Sequence, residues 1–148
     1  MNISAIERNR SLIEKFRTMI NTNDHALAEE LIDPEAAFYS LLSPEPLYGG
    51  KGYLSVVEAM RASFSDIHWE IVDMAAEEDK VAVNWTCSGT HDGTFMGVPA
   101  TGKKFSFSCM NFYYFNEKGK IVNDVAAQGM MGLLEALGIV KAPSGARR

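Results

Sequence analysis

The chain has 148 residues, 14 Lys and Arg against 19 Asp and Glu, a formal net charge of −5, 47% hydrophobic residues and two cysteines. One domain over 1–141 fits that length, an ordinary apolar fraction excludes low-complexity disorder, and the acidic balance excludes a phosphate-binding surface of clustered Lys and Arg. Two cysteines make no disulfide framework, charges interrupt the first twenty residues and no apolar run nears the ~20 residues of a membrane helix. The expectation is therefore a soluble cytoplasmic protein that engages neither nucleic acid nor membrane.

Ser4 and Glu7 form a capping-box signature, and Ile6, Ile13, Phe16 and Ile20 recur near helical spacing, which predicts a helix over 5–21. Asn23 or Asp24 caps a second, shorter helix with Leu27, Leu31 and Ile32 inward, limited by Pro34. The prolines and glycines between Leu42 and Gly52 read as a loop, followed by a third helix carrying Tyr53, Val57, Met60 and Phe64. After Asp66 the pattern turns to β-branched and aromatic residues between turn signals, predicting strands over 67–76, 80–91, 104–115 and 120–127. A short helix from Met130 to Leu137 stops at Gly138, and residues 142–148 read as a frayed tail. Helices first and an antiparallel meander second is the α+β class.

Alternation assigns the faces. Val81, Val83, Trp85 and Cys87 point inward on one strand; Phe105, Phe107, Cys109, Asn111, Tyr113 and Phe115 do so on the next. Asn111 is then an amide on an otherwise apolar face and needs a partner. In the last strand Ile121, Asn123 and Val125 share one face and Val122, Asp124 and Ala126 the other, and either choice turns a polar side chain inward. If Asp124 is inward, desolvation raises its pKa and suits it to acid/base work. His91 continues the inward face to its end, either as a proton shuttle at a pocket mouth or as a pin for the turn. His68 reads outward, and His25 has no predicted partner. Cys87 and Cys109 are expected as inert thiols.

Metal binding is not expected, because three scattered histidines offer no ligand spacing. The run from Gly97 to Lys104 nearly spells a phosphate loop, but Lys104 replaces the magnesium-holding hydroxyl and a strand follows. Gly49-Gly50-Lys51-Gly52 precedes a helix and reads more readily as a hinge than as an anion site.

The run Gly89-Thr90-His91-Asp92-Gly93-Thr94-Phe95-Met96-Gly97-Val98-Pro99-Ala100-Thr101-Gly102-Lys103, followed by Gly119-Lys120-Ile121 and by Gly132-Leu133-Leu134-Glu135-Ala136-Leu137-Gly138, closely resembles the SnoaL-like polyketide cyclase and ester cyclase family. The resemblance implies the nuclear transport factor 2-like fold, a curved antiparallel sheet wrapped with helices into a cone around a small-molecule pocket. It also implies cofactor-free aldol cyclisation by an aspartate of the last strand, and dimerisation through the outer sheet face. Aligned on these motifs, that aspartate falls on Ala126, the supporting Gln and His fall on Cys109 and Asn111, and a second acidic position of the ester cyclase branch falls on Gly129.

The expected function is a cofactor-independent acid/base enzyme acting on a small apolar carbonyl compound or lactone. Asp124 is the base, with Asn111 and either Tyr113 or His91 on the oxygen side, and Trp85, Phe107, Cys109 and Tyr113 contact the substrate. The competing expectation is a non-catalytic module that holds a hydrophobic ligand or pairs through its sheet. Met110, Phe112 and Tyr114 form the apolar outward row that homodimerisation would cover.

Overall fold

The structure, a computed structural model, describes residues 3–127 and 131–141. Helix α1 (Ala5–Thr22) is capped by the Ser4 hydroxyl, which accepts from the Glu7 amide at 3.1 Å, and ends where Asn23 turns left-handed. Asp24 caps α2 (His25–Leu31) by accepting from the Leu27 amide at 3.0 Å. A two-stranded ribbon, β1 (Ala37–Phe38) and β2 (Leu47–Tyr48), precedes α3 (Gly49–Ser63), and a meander of β3 (His68–Ala76), β4 (Lys80–Thr90), β5 (Lys104–Phe115) and β6 (Ile121–Ala127) follows. Helix α4 (Met131–Ala136) closes the described chain, with Gly138 at φ +75 supplying the left-handed residue past its end.

The structure corrects the predicted loop over 42–52. The ribbon occupies part of it, and α3 begins four residues ahead of Tyr53. The three glycines are there for close approach: a Cβ on Gly50 would lie 2.5 Å from the Ala28 carbonyl oxygen, where α2 and α3 touch. The expected tail at 142–148, Met130 as a helix start and Gly129 lie outside the described residues.

The four-stranded sheet runs in the order β3-β4-β5-β6, all antiparallel. Both edge strands carry an irregularity. Register slips between Ile71 and Asp73 on β3, and between the Tyr114–Asn123 and Phe115–Ile121 pairs at the start of β6. Such bulges bend a sheet, and they curve this one around the helices. Asn9, fully buried on α1, donates from Nδ2 to the Glu77 and Glu78 carbonyls at 3.1 and 2.9 Å and anchors that helix across the β3–β4 turn.

Two apolar clusters fill the interior. One gathers Ile13, Phe16 and Met19 of α1 with Leu31, Leu54, Val83, Trp85, Tyr113 and Ile121; the other gathers Met60, Phe64, Ile67, Cys87, Phe95, Phe105 and Leu133. The expected inward faces of β4 and β5 hold throughout. No described helix is long and apolar enough to cross a membrane.

Candidate active site

A cavity of about 550 Å³ opens on the concave side of the sheet, lined from both clusters. Its walls include Phe38, Trp69, Trp85 and Phe107, with Tyr39 and Leu41 from the ribbon connection. Among the described residues that line it, Asp124 is the only carboxylate and none is basic. An apolar space with a few convergent polar groups is the usual form of a small-molecule site.

The bulge at Val122 places Asp124 here. It lets both Ile121 and Asp124 face inward although their numbers differ in parity, and it sets Tyr113 opposite Asp124 and Asn111 opposite Ala126. Asn111 donates from Nδ2 to Oδ1 of Asp124 at 2.7 Å, and the Tyr53 hydroxyl donates to Oδ2 at 3.0 Å. Desolvation raises the Asp124 carboxyl from 3.8 to about 6, and the two donors hold it from going further. The phenols of Tyr53 and Tyr113 are pushed well up, first by burial and then by the charge of Asp124. Trp85 donates from Nε1 to the Tyr113 hydroxyl at 3.0 Å.

Of the residues expected from sequence, Asp124, Asn111, Trp85, Phe107, Cys109 and Tyr113 all border the cavity. His91 does not. Fully buried, it packs on Phe64 at 5.6 Å between ring centroids and pairs through Nδ1 with Thr101 Oγ1 at 2.9 Å. Its backbone also bonds Lys103 and Gly102, so it pins the turn after β4 instead of standing at a pocket mouth. His25, for which no partner was expected, pairs with Glu58 at 2.8 Å across α2 and α3. Burial raises both thiols, Cys109 to about 11, as expected of inert cysteines.

Tyr53 is the residue that sequence reasoning missed. Helical spacing marks it as core, and only its hydroxyl, at the start of an otherwise apolar helix face, hints at more. Among the described residues no three His, Cys, Asp or Glu side chains gather as a metal site would require.

Comparison with known proteins fits this architecture. The family model described as SnoaL-like polyketide cyclase matches residues 10–137. AclR of Streptomyces galilaeus, a candidate hydroxylase, is 27% identical with a TM-score of 0.72, over 94% of this chain and 87% of its own. IdmH of Streptomyces antibioticus, a candidate polyketide cyclase, is 27% identical with a TM-score of 0.71, over 88% and 98%. A candidate SnoaL-like polyketide cyclase from Jannaschia superposes with a TM-score of 0.76 over 95% and 99% at 16% identity, a likeness of fold alone. No curated protein matches.

Proposed function

The chain belongs to the SnoaL-like polyketide cyclase family, and we propose that it is a cofactor-independent acid/base enzyme in which Asp124 removes a proton from the carbon beside a carbonyl of a small apolar molecule. The observation that carries this reading is a carboxylate facing an aromatic cavity with no lining cation to neutralise it, held between two neutral donors. A carboxyl raised to about 6 is ionised at neutral pH yet basic enough to take a proton.

Asn111 supports the other half of the reaction. Its amide carries two N–H groups, one committed to Asp124, so the second can meet the substrate oxygen. As Asp124 takes the proton, the C–H electron pair becomes the enolate double bond and the carbonyl π electrons move onto oxygen, where that N–H stabilises the charge. Attack of the enolate carbon on a second carbonyl closes a ring, and Asp124 returns its proton to the new alkoxide. Reprotonation at carbon instead gives isomerisation. A lining with no cation favours a neutral substrate, because a carboxylate or phosphate would enter beside Asp124 without a counter-ion.

The test is deuterium exchange. The chain is incubated in D2O with a panel of neutral apolar β-keto esters, and label at the carbon between the carbonyls is followed by mass spectrometry. Exchange by the native chain faster than in buffer alone, falling to the buffer rate in Asp124→Asn, is the expected result; acceleration over buffer that survives in Asp124→Asn removes Asp124 from the mechanism.

A second reading, ligand binding without turnover, draws on Ala126. It lines the cavity at the position where the family resemblance expects the cyclase aspartate, two residues along β6 from Asp124. Binding of a panel member with no exchange would support it. The homodimer reading is supported by the outer face of the sheet, where Met110 and Phe112 are 57% and 46% exposed beside Val125 at 49%. Two free cysteines, one buried and one half-buried, suit the reducing cytoplasm.

A further inference from the structure

The cavity treats the two signs of charge unequally. Asp124 is the only carboxylate among the described residues that line it and none of them is basic, so an ionised Asp124 meets no counter-ion there. The groups that hold the carboxylate, the Asn111 amide at 2.7 Å and the Tyr53 hydroxyl at 3.0 Å, are neutral donors and leave its charge in place. Each bonds a different oxygen, and a carboxylate offers about four lone-pair sites, so an acceptor site remains on both oxygens. Phe38, Trp69, Trp85 and Phe107 stand in the same wall. A ring face attracts positive charge, so walls of this kind receive a cation better than aliphatic ones would. A charge in apolar surroundings is stabilised by an opposite one brought beside it, and their attraction there exceeds its value in water.

We propose that the cavity binds a protonated tertiary amine with an apolar body, its single N–H donating to Asp124 and its carbon framework filling the aromatic space. A tertiary ammonium suits the site better than a primary one. Its one donor is served by Asp124, whereas three N–H groups outnumber the acceptor sites that Asn111 and Tyr53 leave there. The volume of about 550 Å³ lies within the ~300–1,000 Å³ of small-molecule sites and has room for such a body. The chain's net charge of −5 adds a field that draws cations toward it. The inference rests on the part of the base reading that puts an ionised Asp124 at the cavity wall, and it goes beyond that reading. An amine with no proton beside a carbonyl has nothing to give up, so it occupies the substrate's place without turnover.

Among the described residues, the other titratable groups lining the cavity are Tyr53 of α3, Cys109 and Tyr113 of β5, and Tyr39 between β1 and β2. Tyr53, Tyr113 and Cys109 are all pushed above their ordinary values, chiefly by burial, and keep their protons near neutral pH. An alkylamine titrates near the lysine value of ~10.4 and stays protonated below pH 8.

The experiment is calorimetric titration of the full chain with two probes of similar shape, 1-methyl-4-phenylpiperidine, which is a cation, and 4-phenylcyclohexanone, which is neutral. At pH 7.5 the native chain should bind the amine about 10–100-fold more tightly than the ketone, the size of one hydrogen bond to a charged group. Asp124→Asn should lose that preference and keep its affinity for the ketone. In the native chain the amine should bind about tenfold more weakly at pH 5 than at pH 7.5, because an acid titrating at about 6 is then mostly protonated, while the ketone should bind alike at both. The pH comparison decides alone if Asp124→Asn does not fold. No heat from the amine at millimolar concentration, equal affinity for the two probes, a preference that survives in Asp124→Asn, or one that is flat between pH 5 and 7.5 each overturns the inference. Binding and deuterium exchange fail separately: exchange without amine preference discards this inference and keeps the base, and amine preference without exchange keeps the inference and discards the base.

Discussion

The hydroxyl of Tyr53 lies 3.0 Å from Oδ2 of Asp124, a bond between the first turns of a helix and the last strand of the sheet, 71 residues further along the chain. It joins helix to sheet at the only carboxylate among the described residues that line the cavity. Helix α3 owes its position to Gly50 packed against α2, and β6 owes its inward aspartate to a bulge.

Replacing Tyr53 by Phe removes one donor from a desolvated carboxylate and keeps the ring against Phe16 and Phe38. A hydrogen bond to a charged group contributes about 1.5–3 kcal/mol, so the Asp124 midpoint should climb from about 6 by roughly 1–2 pH units. In any turnover assay the acid limb of the pH profile moves upward by the same amount. A limb that stays in place would mean that the bond has no bearing on the base.

Asp124 should also mark the stability curve. Between pH 4 and 6, on the order of its unfolded and folded values, the native state holds a proton that the unfolded chain has released. Stability therefore falls as pH rises through that window, by up to roughly 3 kcal/mol for a shift from 3.8 to about 6, and levels off above it. Asp124→Asn removes this contribution and should be the more stable chain at pH 7. Urea titrations of both proteins at pH 4, 5, 6 and 7 read this directly; parallel curves would refute it.

Gly50→Ala is expected to cost about 1–3 kcal/mol, the range for forcing atoms into a packed contact. The new Cβ meets backbone, the Ala28 carbonyl carbon and oxygen at 2.6 and 2.5 Å, which cannot swing aside as a side chain would. Because Tyr53 stands three residues further on, the variant should weaken ligand binding as well as lower the melting temperature. Gly97→Ala, where no atom stands within 4 Å but φ is +80, is the control for strain without a clash.

Phe112→Arg should convert a dimer into a monomer without loss of fold. The ring stands on the outer face, 46% exposed and stacked on Tyr114, so the change removes apolar contact surface and adds like charges across a two-fold interface. Sedimentation at micromolar concentration checks it, and a native chain that already sediments as a monomer would dismiss the dimer.

Much of this fold is legible in the sequence because its periodicities are clean. The four long strands, the inward faces of the middle two, the Ser4 cap and a cap at Asn23 or Asp24 follow from alternation and local hydrogen bonding that involve only near neighbours. The site is legible in part. Asp124, Asn111 and Tyr113 stand out as polar atoms on apolar faces. What stays hidden depends on distance in the chain: the bulge that settles the orientation of Asp124 has no glycine to announce it, and Tyr53 looks like any core aromatic until its partner arrives from β6. Gly50 of α3 misleads for the same reason, since its tight neighbour is a carbonyl on another helix. His91 follows its strand's inward parity faithfully, but parity says which side of a sheet a residue faces and not which part of the interior it reaches.

The chain has two tryptophans, and both Trp69 and Trp85 border the cavity. All of its indole fluorescence therefore originates at the place where a ligand would enter. Trp85 is hydrogen-bonded to Tyr113, which stands opposite Asp124 in the sheet, and Trp69 is held by its backbone to Asn21 of α1. The unlabelled chain is its own optical sensor. Emission should respond both to occupancy of the pocket and to the ionisation of its acid, so a compound library can be screened by light before any product is known.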